Sequence, residues 1–515
     1  MTPEPFLGEL KKVTTAKAGW RDLKIDQQSK AHTSSAGTVK KSLLNLIHIS
    51  DTHICDAQSP ARVEYLDRFA DPHHPASALI GTLVGTYRAQ EILTTQVLHS
   101  MIGSINKIES TPITKSSVDA VLITGDLTDN AQVNELNWFN TLAQGGTVHP
   151  DSGANNKWEG AGGEHYSRFF WNPHGTPTGE SDDFPRALYG FPTVPELLDA
   201  VRAPFVTPGL LHQSLPVHGN HDALLQGTVV PDAVLREVAL SDLKIFDLDH
   251  DEALQALANV TEIGPARYPL PKQAVQAKVT KDVERDFVTQ VTWSSVFEQN
   301  HKDKKAKYWR RDFESITLIA LDTVNPYGGW QGSLDQEQFE WLKRQCEELQ
   351  DRLIVITSHH PLDDLYNGYT VELTPRILRE SVKEFLLGQP NVIAWICGHT
   401  HQHKITHFKS ETSDGFWQIE TASLIDWPQQ GRVIEFYIDD LDQLCIATTL
   451  FDHQGTVASE YTTSDLSEVD NLAGLSRALS VNDWQRRCGA FDIQLNEGSP
   501  PDQNVILKRA LPTNK

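Results

Sequence analysis

The chain has 515 residues, more than one simple core accommodates, so a large domain with insertions or a pair of domains is expected. Asp and Glu number 68 against 45 Lys and Arg, a formal charge of −23, which argues against non-specific binding of nucleic acid or anionic lipid because both need a basic face. Met1 is followed by neither an apolar leader nor a twin arginine, no run of about 18 apolar residues occurs, and the five cysteines are widely spaced without a CxxC. The expectation is a cytoplasmic, reduced protein with no membrane segment. A small phosphorylated partner is compatible with the acidic balance, since bound divalent cations supply local positive charge.

Residues 1–42 are polar and read as a loose arm, with 19–23 suited to a short docked strand. Residues 46–50 are an apolar, β-branched run, a buried strand, that stops at Asp51-Thr52-His53. A carboxylate and an imidazole two residues apart lie on one side of an extended chain. Just beyond, Arg62 reads first as a surface salt bridge and second as a phosphate contact. The spacing of Leu98, Met101, Ile102, Ile105 and Ile108 predicts a helix within 86–108. A second buried strand over 118–124 ends in Gly125-Asp126-Leu127-Thr128-Asp129.

Residues 146–212 are rich in Gly, Pro, Asn and His and too long for an ordinary loop. Their aromatics, among them Phe169, Phe170, Trp171 and Tyr189, argue that the segment packs as an insertion over the domain, with the character of a lid. A short helix is expected near 195–201. A third strand tip carries His218-Gly219-Asn220-His221-Asp222. Helices are expected near 231–240 and 283–298, and the basic run 301–307 reads as a solvated turn.

A strand over 316–322 precedes a helix whose Ser333-x-x-Gln336 has the form of a capping box. The strand at 353–358 ends in His359-His360-Pro361. A helix is expected from Thr374-Pro375, with proline at its first position, to Gly388. The strand at 392–397 ends in Gly398-His399-Thr400-His401. Strands at 416–421, 431–438 and 444–451 follow, then a helix near 470–480 and the apolar stretch Val505-Ile506-Leu507.

Five strands thus end in metal-ligand residues: Asp51 and His53; Asp126; Asn220 and His221; His359; His399 and His401. Carboxylate, imidazole and one amide oxygen suit borderline or hard ions such as Mn, Fe, Zn, Co or Mg, and do not suit a thiolate site. The ligands are too many for one ion, and one carboxylate bridging two ions uses them all. Adjacent strand residues face opposite ways, so only one of His359 and His360 is expected to bind metal.

The motifs DxH at 51–53, GDxxD at 125–129, GNHD at 219–222, HHP at 359–361 and GHTH at 398–401, in this order, resemble the calcineurin-like metallophosphoesterase superfamily over residues 46 to about 440. The sequence from Ser50 and the late TASLIDWPQQGRV are similar to a bacterial subfamily with long inserts, many of whose members carry a twin-arginine export signal absent here. The resemblance implies an α/β fold, a four-layer αββα sandwich of two mixed β-sheets flanked by helices, with the site at the carboxyl ends of strands. It implies that Asp51, His53 and His401 bind a first divalent ion, that Asn220, His359 and His399 bind a second, and that Asp126 bridges them. His221 would protonate the leaving oxygen, with Asp222 orienting its imidazole. The implied reaction is hydrolysis of a phosphomonoester or phosphodiester by a metal-bridging hydroxide. Purple acid phosphatases carry Tyr where this chain has Asp129, so an iron–tyrosinate centre is not expected. The expected organisation is an arm at 1–42, a catalytic domain at 43–455 with insertions at about 146–212 and 223–310, and an extension at 456–515 packed on it. The competing readings are a metal-binding scaffold whose catalysis has lapsed, which the intact motif positions disfavour, and a nuclease, which the acidic balance disfavours.

Overall fold

A computed structural model describes residues 9–14, 20–26, 37–72, 74–75, 77, 87–249, 251–252, 274–297, 307–456, 465–488 and 493–512. The strands that build the core are β1 (Val39–Ile49), β2 (Ala120–Ile123), β3 (Ser214–Pro216), β4 (Trp309–Asp312), β5 (Ile316–Ala320), β6 (Leu353–Thr357), β7 (Val392–Cys397), β8 (Lys404–Ser410), β9 (Ser413–Glu420), β10 (Gln430–Asp439), β11 (Gln443–Asp452) and β12 (Val505–Ala510). They form two mixed six-stranded sheets in the orders β12-β11-β10-β1-β2-β3 and β4-β5-β6-β7-β9-β8. In the first sheet β1, β2 and β3 are parallel. In the second β5, β6, β7 and β9 are parallel, with antiparallel strands at both edges.

The two-residue period of the strands sorts their apolar side chains into layers. Leu44 and Leu46 of β1, and Ala120 and Leu122 of β2, meet Leu318, Ala320, Val355 and Ile396 of the other sheet in one cluster between the sheets. The alternate residues Ile47, Ile49, Val121 and Ile123 face outward onto Val97, Met101, Ile102 and Ile105 of helix α1 (Thr94–Asn106). On the far side Ile319, Ile354, Ile356 and Trp395 pack on α2 (Gln336–Glu348) and α3 (Arg379–Leu387) through Phe339, Leu342, Val382 and Leu386. Helices, sheet, sheet and helices make the expected four-layer αββα sandwich.

The differences from expectation have local causes. Helix α2 is capped by Asp335, whose carboxylate accepts from the Gln338 N–H at 2.7 Å, while the Ser333 hydroxyl accepts from Arg376 Nε. Helix α3 starts only at Arg379, because Ile377 is held extended by a bridge to Leu334. The helix expected over 283–298 is split into Val283–Arg285 and Gln290–Phe297, because Phe287 bridges Gln132 between them. Edge strands β4 and β8, which are largely polar, did not stand out as strands in the sequence. Lys307 is half-buried with Nζ 3.0 Å from His218 Nε2 rather than in a solvated turn; residues 301–306 lie outside the described residues.

The segment 146–212 does pack. Trp158, Phe170, Trp171, Phe191 and Leu198 share a cluster with Leu93 and with Leu475, Leu479 and Trp484 from the tail, where α4 (Val469–Ser480) and α5 (Trp484–Cys488) lie. Residues 21–26 pair with 9–14, and Arg21 N–H donates to Asn482 Oδ1, so the docked strand expected near 19–23 is present.

Candidate metal centre

The loops after β1, β2, β3, β6 and β7 carry every residue singled out by the motifs. The chain turns sharply there. Asp51, His53, Asp126, His399 and His401 all have left-handed φ, between 41° and 70°. For a non-glycine residue that conformation costs on the order of 1–3 kcal/mol and persists where surrounding structure fixes it. Backbone bonds from Asp51 N–H to the Gly125 carbonyl (3.2 Å) and from His53 N–H to the Asp126 carbonyl (2.9 Å) lock the first two loops together. The other loops approach so closely that only glycine fits. A Cβ on Gly219 would lie 2.2 Å from Asp126 Oδ1, and one on Gly398 would lie 1.8 Å from Ser50 Oγ.

Asp51, His53 and His401 offer ligand atoms to one another: His401 Nε2 is 3.3 Å from both Asp51 Oδ1 and His53 Nε2. Beside them, His359 Nε2 lies 3.1 Å from both Asp126 Oδ2 and His399 Nδ1. Asp126 Oδ2 is also 3.7 Å from His53 Nε2, so this carboxylate joins the two groups. Asn220 sits in the loop seated on Asp126, where the following residue's N–H donates to Asp126 Oδ1. Its Nδ2 donates to the Gly227 carbonyl at 3.0 Å, and its Oδ1 is buried and accepts no hydrogen bond; the same holds for Asp51 Oδ1.

Three rings are aimed inward by what their other nitrogen meets. Nδ1 of His53 contacts Asp129 Oδ1 at 3.0 Å, Nδ1 of His401 contacts Asp426 Oδ2 at 2.6 Å, and Nδ1 of His359 donates to the Thr124 carbonyl at 2.7 Å. Such outer partners fix the tautomer and leave Nε2 for a metal. His360 lies within reach of His359 and His399, but its Nδ1 is 2.8 Å from Thr323 Oγ1 and its Nε2 2.8 Å from the Trp330 carbonyl. Both of its nitrogens are engaged by protein, whereas His359 keeps Nε2 toward Asp126.

Burial and the neighbouring His221 hold His53 down to about 4, and burial with His360 and His359 holds His399 well below its ordinary value, so both imidazoles are neutral, as a ligand must be. Burial opposes ionisation of Asp126, but His359, His221 and His53 outweigh it and keep the carboxylate charged. Burial lowers His359, but Asp126 and Asp51 prevail and raise it to about 9; a cation at Asp126 competes with that proton.

His221 stands edge-on to His53, ring centroids 4.4 Å apart, with its Nδ1 2.8 Å from the Asp129 carbonyl and 3.5 Å from Asp129 Oδ1. Burial disfavours its charged form, but Asp126 and Asp129 outweigh burial and raise its pKa. The expected orienting role of Asp222 is corrected here. The Asp222 carboxylate accepts from the N–H groups of Leu127, Thr128 and Gly219 at 2.8–3.0 Å, tying two loops together, and the acid at the His221 ring is Asp129.

Arg62 is also corrected. It is buried, not at the surface, with Nη1 2.6 Å from Asp129 Oδ2 and Nη2 2.8 Å from Glu91 Oε2. Asp129 therefore holds both His53 and His221 and is itself held by Arg62. It was visible as the last position of GDxxD. Asp426, which receives Arg88 Nε at 2.9 Å and Arg486 Nη2 at 2.6 Å besides His401, had no signal beyond its place in the late TASLID stretch. Asp129→Asn is expected to weaken metal affinity about 10–100-fold, the usual cost of losing an outer partner. Titration of the metal-free protein with Mn or Zn measures it, and an unchanged affinity would show that His53 needs no such support.

Against known proteins, residues 192–403 match the family model described as calcineurin-like phosphoesterase. No curated protein matches the sequence. Among solved structures, a dimetal phosphatase from Danio rerio is similar at TM-score 0.34 and 12% identity, over 80% of this chain and 100% of that one. A purple acid phosphatase from yellow lupin (Lupinus luteus) seeds is similar at 0.31 and 9%, over 81% of this chain and 53% of the lupin chain, about half its length. Neither likeness bears on substrate. The match covers residues 192–403, which hold the strand tips with Asn220, His359, His399 and His401, and over those residues the chain is similar to the calcineurin-like phosphoesterase family.

Proposed function

We propose that the protein hydrolyses a phosphomonoester or phosphodiester of a small molecule with two divalent ions, one held by Asp51, His53 and His401, the other by Asn220, His359 and His399, with Asp126 shared. The observation that carries this reading is the pair of buried acceptors, Asp51 Oδ1 and Asn220 Oδ1, that accept no hydrogen bond. A buried polar atom left so costs about 1–3 kcal/mol, and a cation relieves it. The donor set suits Mn, Fe, Zn, Co or Mg. Bound ions would supply Lewis acidity and an activated water near neutral pH.

The chain's own residues do the rest. His221 is the proposed general acid. With Nδ1 turned to the Asp129 carbonyl, its Nε2 is the nitrogen that gives a proton to the leaving oxygen. Asp129 is the proposed orienting group, and Asp222 the fastener of the loops beneath. Residues 43–455 are proposed as the catalytic unit, with 1–42 as an N-terminal arm, 456–515 as a C-terminal extension, and the insertions at about 146–212 and 223–310 choosing among esters. Among the described residues no helix is long and apolar enough to cross a membrane; a cytoplasmic location is part of the proposal.

Adding ions to chelator-treated protein is expected to raise its melting temperature by a few degrees, since a ligand at 100 times its dissociation constant stabilises by about 2.7 kcal/mol. The test pairs that measurement with a phosphate-ester panel run in Mn, Fe, Co, Zn and Mg. Binding without turnover of any ester would favour the lapsed scaffold, and no binding would remove the metal centre altogether.

A further inference from the structure

Beside His399, two loops are strapped together by a pair of buried asparagines. Asn325 Nδ2 donates to the carbonyls of Asn367 (3.2 Å) and Tyr369 (3.0 Å), and Asn367 Nδ2 donates to the Gly328 carbonyl (2.9 Å). Backbone bonds from Asn367 N–H to Gly332 and from Gly332 N–H to Asp364, each 3.0 Å, close the strap. Gly329 N–H donates to the Thr228 carbonyl at 3.0 Å, which fastens the strap to the loop that follows His221. The Trp330 carbonyl is also fixed, by His360 Nε2.

This bonding holds one side chain in place. The Trp330 indole lies over the His399 imidazole, centroids 5.6 Å apart and planes at 24°, and the Tyr366 ring stands edge-on to it at 5.9 Å and 88°. Both aromatics are half-buried, and neither belongs to any apolar core cluster among the described residues. A tryptophan kept for packing would sit in such a cluster. This one is held at the rim of the metal centre by polar groups that serve neither the core nor the ions. The surrounding charge is mixed: Asp363 and Asp364 lie in the strap and Glu372 accepts from the Tyr327 hydroxyl at 2.6 Å, while Arg376 donates to the Ser333 hydroxyl and carbonyl and Lys404 stands near Asp363 and Asp364.

We propose that Trp330, braced by Tyr366, is a specificity-determining residue that receives the organic part of the ester and favours one carrying a flat ring, such as a base or an aryl group. The π-face of an indole stacks with any such ring, and each stacked base contributes a selectivity of about 5- to 150-fold. The proposal rests on the phosphoesterase reading above.

The test uses two probes with the same primary alkoxide and phosphate, adenosine 5′-monophosphate and ribose 5-phosphate, and their methyl diesters. Their dissociation constants are measured by calorimetry on the ion-loaded full chain, alongside turnover and metal content. The wild-type protein is expected to prefer the adenosine member, and Trp330→Ala to lose that preference by about 5- to 150-fold. Trp330→Phe is expected to keep most of it. A preference unchanged in Trp330→Ala would overturn the proposal. So would a loss of metal with the preference intact, which would mean that Trp330 only supports His399. If the wild-type protein turns over none of the four esters, the ratio of dissociation constants still decides the subsite, and the hydrolytic reading is judged separately by the ester panel.

Discussion

Asp126→Asn is expected to release at least one ion and to reduce hydrolysis by more than the 10–100-fold that outer partners of a metal site cost. Asp126 Oδ2 lies 3.1 Å from His359 Nε2 and 3.7 Å from His53 Nε2, so this carboxylate reaches an imidazole of each ligand group. An amide has the same shape and no charge, and two cations would then face each other with too little negative charge between them. The fold should persist. The site lies at strand ends rather than in the cores, and an amide oxygen can still accept from the His221 N–H that now meets Asp126 Oδ1. Metal analysis decides the matter: two ions per chain in a folded Asp126→Asn protein would end the bridging role.

His221→Ala is expected to keep both ions and to lose about 10²–10⁴-fold in rate, the usual worth of a positioned general acid. The loss should depend on the leaving group. An alkyl phosphate departs as a strongly basic alkoxide and needs the proton, whereas a p-nitrophenyl ester departs as a stable anion and needs it far less. The mutant should therefore be crippled on the alkyl ester and retain more activity on the nitrophenyl ester. His221 is close enough to His53 and Asp129 to share a cation with them, so metal content must be measured alongside. A fall in metal would make His221 a ligand. An equal loss on both esters with metal retained would make it a stabiliser of phosphoryl charge and not a proton donor.

Much of this was legible in the sequence because the information is local. Each strand announces itself by an apolar run, and the residues that end it lie at the carboxyl edge of a parallel sheet. What was not legible depends on contacts between loops. Asp222 adjoins His221 in sequence, but the Asp222 carboxylate is taken up by three backbone N–H groups, and Asp129, from another loop, reaches the ring instead. Arg62 reads as a surface residue until Glu91 and Asp129 are seen to enclose it. Whether His359 or His360 faces the centre could be weighed by strand alternation, but the physical reason is the engagement of both His360 nitrogens by Thr323 and Trp330. Strand β8 escaped notice because an edge strand with a solvated face lacks a continuous apolar run.

Asp426 has a consequence for how the protein comes into being. It is gripped by Arg88, from the early part of the chain, and by Arg486, from helix α5 near its end, while it steadies His401. A chain emerging from the ribosome folds from its N-terminal side first. All five strand tips precede Arg486 in the chain, so a nascent chain can bring the candidate ligands together while Asp426 has Arg88 beside it and still lacks Arg486. Arg486 then completes the grip on Asp426, which steadies His401. Under the proposed two-ion reading, a chain stalled or clipped before Arg486 is expected to hold its ions less tightly.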